Sequence, residues 1–211
     1  MKKIIFFNLP MKSMENNEAC YLNKGNIDCK CDVKVKFGII AALYGRIKKE
    51  DDVCVIINET TAEKNCNKEN LEFFKQEFEA VLQIKLSEGR NLQIVQSPFT
   101  ETREDMQNLY RRLLDYIEED SWIYADTTFG PRLNLPTCFS VFSFAERFCN
   151  AQIKFILNVK ANFDPKNNKV IEGSQELYDI MPFYNLSNMT MAMRAKDGKQ
   201  AKRMLDDFFA L

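Results

Sequence analysis

Short apolar runs of strand length alternate with amphipathic stretches of helical period along the chain, and no other feature constrains its fold as much. Val53–Asn58 reads Val-Cys-Val-Ile-Ile-Asn, apolar at every position but the last. A strand of that kind belongs inside a parallel sheet covered on both sides. Ile4–Asn8, Leu92–Gln96, the run Trp122–Ala125 and Ile153–Val159 are similar. Between them the apolar residues recur at helical spacing. Asp32 is placed to cap a helix carrying Val33, Phe37, Ile40, Leu43, Tyr44 and Ile47, with Gly38 and Ala41 permitting close contact. A second helix covers Glu69–Leu86 and is followed by Gly89. A third starts at Thr102-Arg-Glu-Asp105, a capping-box pattern with Asp in place of the longer Glu. A fourth runs from about Asn134 to Cys149, and the remainder from Glu176 reads as helices broken near Pro182 and Gly198.

Strand and helix in alternation predict an α/β fold: a Rossmann-like, mainly parallel sheet with helices on both faces and a C-terminal helical segment. At 211 residues the chain has room for one substantial core, expected as a single domain over residues 1–211. Leu9–Asp32 stands apart, being polar, asparagine-rich and without sustained periodicity. A connection this long in a compact domain is expected to be functional. Asn162–Asn168 reads as a polar turn.

Composition removes several chemistries. The chain contains no histidine, so serine–histidine triads, histidine-bearing zinc sites and imidazole acid–base catalysis are unavailable within it. Its net charge of −1 argues against a broad duplex-DNA-binding face. The seven cysteines contain no Cys-x-x-Cys pair; Cys54, Cys138 and Cys149 sit in apolar runs as buried small hydrophobes. An odd number of thiols without a signal peptide points to a reducing cytoplasm. No apolar run approaches the roughly 20 residues of a membrane span. Neither a Gly-x-Gly-x-x-Gly nor a P-loop pattern is present, which disfavours an unrelated dinucleotide or P-loop enzyme. No cofactor or metal ligand set is expected.

The richest segment is Trp122-Ile-Tyr-Ala-Asp-Thr-Thr-Phe-Gly-Pro-Arg132. It describes a buried strand breaking into a polar loop that feeds a helix N-terminus. In open α/β sheets ligands lie beyond the carboxyl ends of strands, where free N–H groups and the helix dipole favour anions. Thr127, Thr128 and Arg132 suit a phosphate or sugar, and Gly130 permits close backbone approach. Asp126 braces the turn. The same residues equally suit an ordinary tight turn with a solvated arginine, and the stripe Phe139, Phe142, Phe144 and Phe148 is core or dimer contact.

Asp126-Thr127-Thr128-Phe129-Gly130-Pro131-Arg132 resembles the Asp-x-Thr-His-Gly-x-Arg motif of CARF domains, with Thr128 or Phe129 at the histidine position. These are the CRISPR-associated Rossmann folds that sense cyclic oligoadenylates in type III CRISPR antiviral defence. Leu177-Tyr-Asp-Ile-Met-Pro-Phe-Tyr184, leading into a helix, resembles the closing segment of many such domains. The resemblance implies a homodimer whose two-fold axis passes through the ligand site. Each subunit would offer the loop after its first strand, with Asn8, Leu9, Pro10, Lys12 and Ser13. It would also offer the later loop, with Asp126, Thr127, Thr128, Gly130, Pro131 and Arg132. The ligand would be cyclic tetra- or hexa-adenylate, and binding would allosterically control an effector domain expected beyond residue 211. The alternative is a ring nuclease that linearises the same RNA, with Lys12, Ser13, Thr128 and Arg132 positioning the ribose hydroxyl against its phosphate.

Overall fold

The computed structural model describes residues 1–162, 164–165 and 170–209. They form two compact units, Met1–Ile180 and the C-terminal segment from Met181. In the first, six strands make one sheet: β1 (Lys3–Asn8), β2 (Val53–Thr61), β3 (Leu92–Pro98), β4 (Trp122–Asp126), β5 (Gln152–Lys160) and β6 (Glu176–Asp179). Four helices join them: α1 (Gly38–Leu43), α2 (Asn67–Leu82), α3 (Arg103–Leu114) and α4 (Asn134–Phe148). The order across the sheet is β3-β2-β1-β4-β5-β6. All neighbours run parallel except β5 and β6. This is the α/β, Rossmann-like architecture that the alternation predicts.

Alternate residues of β1 serve the two faces, as strand geometry requires. Phe7 stacks on Phe74 of α2 with ring centroids 4.7 Å apart and meets Phe37, just before α1, edge-on at 5.6 Å. On the opposite face Phe6 meets Phe142 of α4 at 5.4 Å. The central strands are buried from end to end in β1 and from Val53 to Asn58 in β2, so their continuous apolar runs reflect two-sided cover.

Several boundaries differ from expectation. Asp32 does not cap a long helix: α1 spans only Gly38–Leu43, and all six residues are buried. Val35 instead forms an antiparallel bridge with Ala19. The Glu77 carboxylate of α2 accepts from the N–H groups of Lys36 at 2.7 Å and Phe37 at 3.1 Å. Tertiary partners thus replace the local cap. Helix α2 stops at Leu82, where Gln83 turns left-handed with φ of 59°. Glu176–Asp179 is an antiparallel edge strand and not helix, because it pairs with Leu157–Lys160. The capping box at Thr102 forms as expected: the Asp105 N–H donates to the Thr102 hydroxyl at 3.2 Å, and the Asp105 carboxylate accepts the Thr102 N–H at 3.0 Å.

Much of Leu9–Asp32 is built into the core. Leu9, Met14, Tyr21, Ile27, Cys29 and Cys31 are buried. Gly25, at φ +91°, bridges to Leu177 so closely that a Cβ would lie on the Leu177 carbonyl. Cys54 and Cys138 are buried, whereas Cys149 is half-buried. The expected turn at Asn162–Asn168 falls largely outside the described residues.

The second unit holds helices α5 (Met181–Ala192) and α6 (Gly198–Phe209). Pro182 does not break α5. It lies in its first turn, where a missing N–H costs nothing. No helix among the described residues is long and apolar enough to cross a membrane.

Candidate functional site

Strand order reverses direction between β1 and β4, so the loops after these two strands part to opposite faces and leave a crevice. Both nominated loops begin there. Phe7 of β1 lies in register with Asp126 of β4, and Asn8 with Asn58 of β2.

Asn8 is buried, and its Oδ1 accepts from Asn58 Nδ2 at 3.0 Å. Asn58 Oδ1 in turn accepts from the Ser97 hydroxyl at 2.9 Å. Three strands therefore share a buried polar line just where their apolar runs end. Leu9 and Pro10 are buried, while Lys12 and Ser13 are exposed. The turn that carries them is held from α2 by the fully buried Asn70. Its Nδ2 donates to the carbonyls of Pro10 at 2.7 Å and Lys12 at 2.8 Å, and its Oδ1 accepts the Met14 N–H at 3.0 Å. The Cys66 N–H adds a bond to the Met11 carbonyl at 2.8 Å. The loop tip is thereby presented on a rigid footing.

In the second loop Asp126 is almost wholly buried. Its Oδ1 accepts the Thr128 N–H at 2.8 Å, so it braces the turn as expected. Its Oδ2 is buried without a hydrogen-bond partner among the described residues. Burial pushes the carboxyl up to about 6, against the pull of the bonds from Thr128. The two threonine hydroxyls face β5: Thr127 Oγ1 donates to the Leu157 carbonyl at 3.2 Å, and Thr128 Oγ1 accepts the Val159 N–H at 2.8 Å. They tie the loop to the sheet. Pro131 is buried and Arg132 exposed.

Gly130 joins the two loops. At φ +99°, a Cβ on it would lie 2.8 Å from Asn134 Nδ2 and 3.5 Å from Asn8 Cβ and Cγ. The left-handed backbone favours glycine here, and a side chain would press on the Asn134 amide. Asn134, the first residue of α4, is buried, and neither its Nδ2 nor its Oδ1 has a partner among the described residues. Helix α4 has no side-chain cap. The Leu133 N–H donates instead to Glu101 at 2.6 Å.

The unpaired amide of Asn134 thus lies beside Gly130 and Asn8, whereas Asp126, in register with Phe7, carries its unpaired oxygen on the opposite face of the sheet. Each such group costs on the order of 1–3 kcal/mol. Lys12 and Arg132 are exposed on the two loops. Such a set can offer hydrogen bonds of both senses to a polar ligand, with cations for its phosphates. Among the described residues no three His, Cys, Asp or Glu side chains are placed to hold a metal ion.

Sequence reasoning missed Asn58, Ser97, Asn70, Glu101 and the polar role of Asn134. One signal was available, because the apolar runs of β1 and β2 both end in asparagine. Asn70 and Glu101 carried none, since their partners lie far along the chain. Neither a known protein family nor a curated protein matches the chain.

Proposed function

We propose that the chain is a CARF-like sensor domain that binds cyclic tetra- or hexa-adenylate across a homodimer and allosterically controls an effector in type III CRISPR antiviral defence. The observation that carries this reading is the meeting of the two nominated loops at the β1/β4 switch point, with Gly130 against Asn8. Arg132 and Lys12 are exposed on the two loops, and the unpaired buried amide of Asn134 lies beside Gly130. A ring of phosphates with two-fold symmetry suits such a crevice supplied twice.

The bonded state of Thr127 and Thr128 favours holding the ring over cleaving it. Both hydroxyls are engaged by β5, Thr127 as donor and Thr128 as acceptor, which orients them toward the sheet and away from the alignment of an in-line attack. Calorimetry with defined rings is the test, with one ring per dimer expected and intact ring recovered afterwards. Arg132→Ala removes a charge-assisted bond worth roughly 1.5–3 kcal/mol, so affinity should fall about 10- to 100-fold with the melting temperature unchanged. Wild-type protein that ignores both rings yet binds a mononucleotide would replace this reading with that of a nucleotide enzyme.

A further inference from the structure

Helices α3 and α4 each return from the carboxyl end of one parallel strand to the start of the next, so they lie side by side and run in the same direction. They touch where the Thr137 hydroxyl meets the Met106 sulfur at 3.7 Å. Between their outer sides runs an open groove whose apolar lining is Met106 and Tyr110 of α3 with Leu133 and Pro136 at the start of α4. Leu133 is 43% exposed. The Thr137 and Ser140 hydroxyls on the α4 wall are spent within their own helix, on the carbonyls of Leu133 at 2.8 Å and Pro136 at 3.0 Å.

The charges that line this groove have one sign. Arg103 and Arg111 line it, and no carboxylate does among the described residues. Neither guanidinium makes an ion pair or a hydrogen bond among the described residues. Other arginines are engaged: Arg112 donates to the Gln96 carbonyl at 2.7 Å, and Arg46 to those of Ala42 and Asp28. Of the nearby acids, Glu101 accepts the Leu133 N–H, Asp105 closes the Thr102 capping box, and Glu104 is exposed outside the lining. At 100° per residue Met106, Tyr110 and Arg103 share one 60° side of α3, and Arg111 stands 80° further round, on the rim. The two arginines are eight residues apart, about 12 Å along the axis.

We propose that this groove docks an acidic amphipathic helix of a partner protein. Its apolar stripe would lie on Met106, Tyr110, Leu133 and Pro136, and carboxylates two turns apart would meet Arg103 and Arg111. Both walls are helices whose backbone groups are already bonded, so an extended strand finds no edge to pair with, whereas a third helix seats its ridges in the groove. Two cations are too few to track a phosphate backbone. A second copy offering the same groove would set arginine against arginine. The docking makes no use of the ligand-binding loops, so this proposal and the ligand reading fail independently.

The probe is a yeast-displayed library of helical peptides, with acidic, basic and neutral residues all allowed at the polar positions, selected against the full chain. Enriched peptides should carry Asp or Glu two turns apart beside an apolar stripe. Synthesised singly with a fluorophore, they should bind Arg103→Glu/Arg111→Glu about tenfold more weakly than wild type, or worse, since two attractions become repulsions. Arg103→Gln/Arg111→Gln should fall between the two. Exchanging the peptide's acids for lysine should restore binding to the glutamate variant and abolish it for wild type. Both arginines are exposed, and thermal melting verifies that the variants fold. A benzophenone amino acid in the peptide's apolar stripe should cross-link to α3 or α4. A library that yields no binder, enriched peptides without paired acids, affinities indifferent to both arginine variants, or cross-links that all map elsewhere would each overturn the proposal. So would a chain that self-associates through this groove.

Discussion

Replacing Asp126 by asparagine should stabilise the protein, and by an amount that depends on pH. The carboxyl is 2% exposed, and one of its oxygens has no partner. Burial raises it from 3.8 to about 6 in the folded chain. In the unfolded chain it titrates near its ordinary value. Below about pH 4 both states hold the proton and no penalty arises. Between the two values the folded state holds more protons than the unfolded, so stability falls as pH rises. Above about pH 6 the fold carries a buried charge, and the loss is complete. A difference of about two pH units corresponds to about 3 kcal/mol. Asparagine keeps the shape and the acceptor for the Thr128 N–H but cannot ionise. At pH 8 the variant should therefore exceed wild type by up to about 3 kcal/mol, roughly 6–12 °C in melting temperature for a chain of this size. The two should converge near pH 4. Urea denaturation from pH 4 to 8 measures this, and a wild-type-to-variant difference that stays constant across the range would refute the reasoning.

Gly130→Ala forces an L-residue to φ +99° and drives a methyl to 2.8 Å from Asn134 Nδ2. The left-handed backbone alone costs about 1–2 kcal/mol; an unchanged melting temperature would mean that the loop adopts another path. Asn70→Ala strips three hydrogen bonds from the β1 loop and leaves the Met14 N–H buried. Stability should drop about 2–4 kcal/mol, with faster amide exchange at Met11–Met14. Exchange at wild-type rates there would show that the loop is held by something else.

Legibility followed the range of the interactions. The strands β1, β2, β4 and β5 were readable because a doubly covered strand must be apolar on both faces, and the Thr102 cap because its partner lies three residues away. Helix α1 misled because Val33–Ile47 has helical spacing, yet Val35 finds Ala19 and the amides of Lys36 and Phe37 find Glu77. Strand β6 was invisible, since four residues declare themselves only against the edge of β5. Within the site, the Asp126–Thr128 brace is local and was foreseen. The bonds that tie Thr127 and Thr128 to β5 were not foreseen, because the carbonyl and amide that engage them lie about thirty residues on.

The order of apolar and amphipathic segments was enough to dictate an α/β protein with a polar loop leaving a buried strand at Asp126, since burial of a strand or helix face is written in residue periodicity. Which loops meet was decided elsewhere. Strand order set β1 beside β4, Asn70 clamped one loop from α2, and Gly130 admitted the other against Asn8. Those contacts join residues tens of positions apart, and no local pattern encodes them, because only the closed sheet brings their atoms within hydrogen-bonding distance.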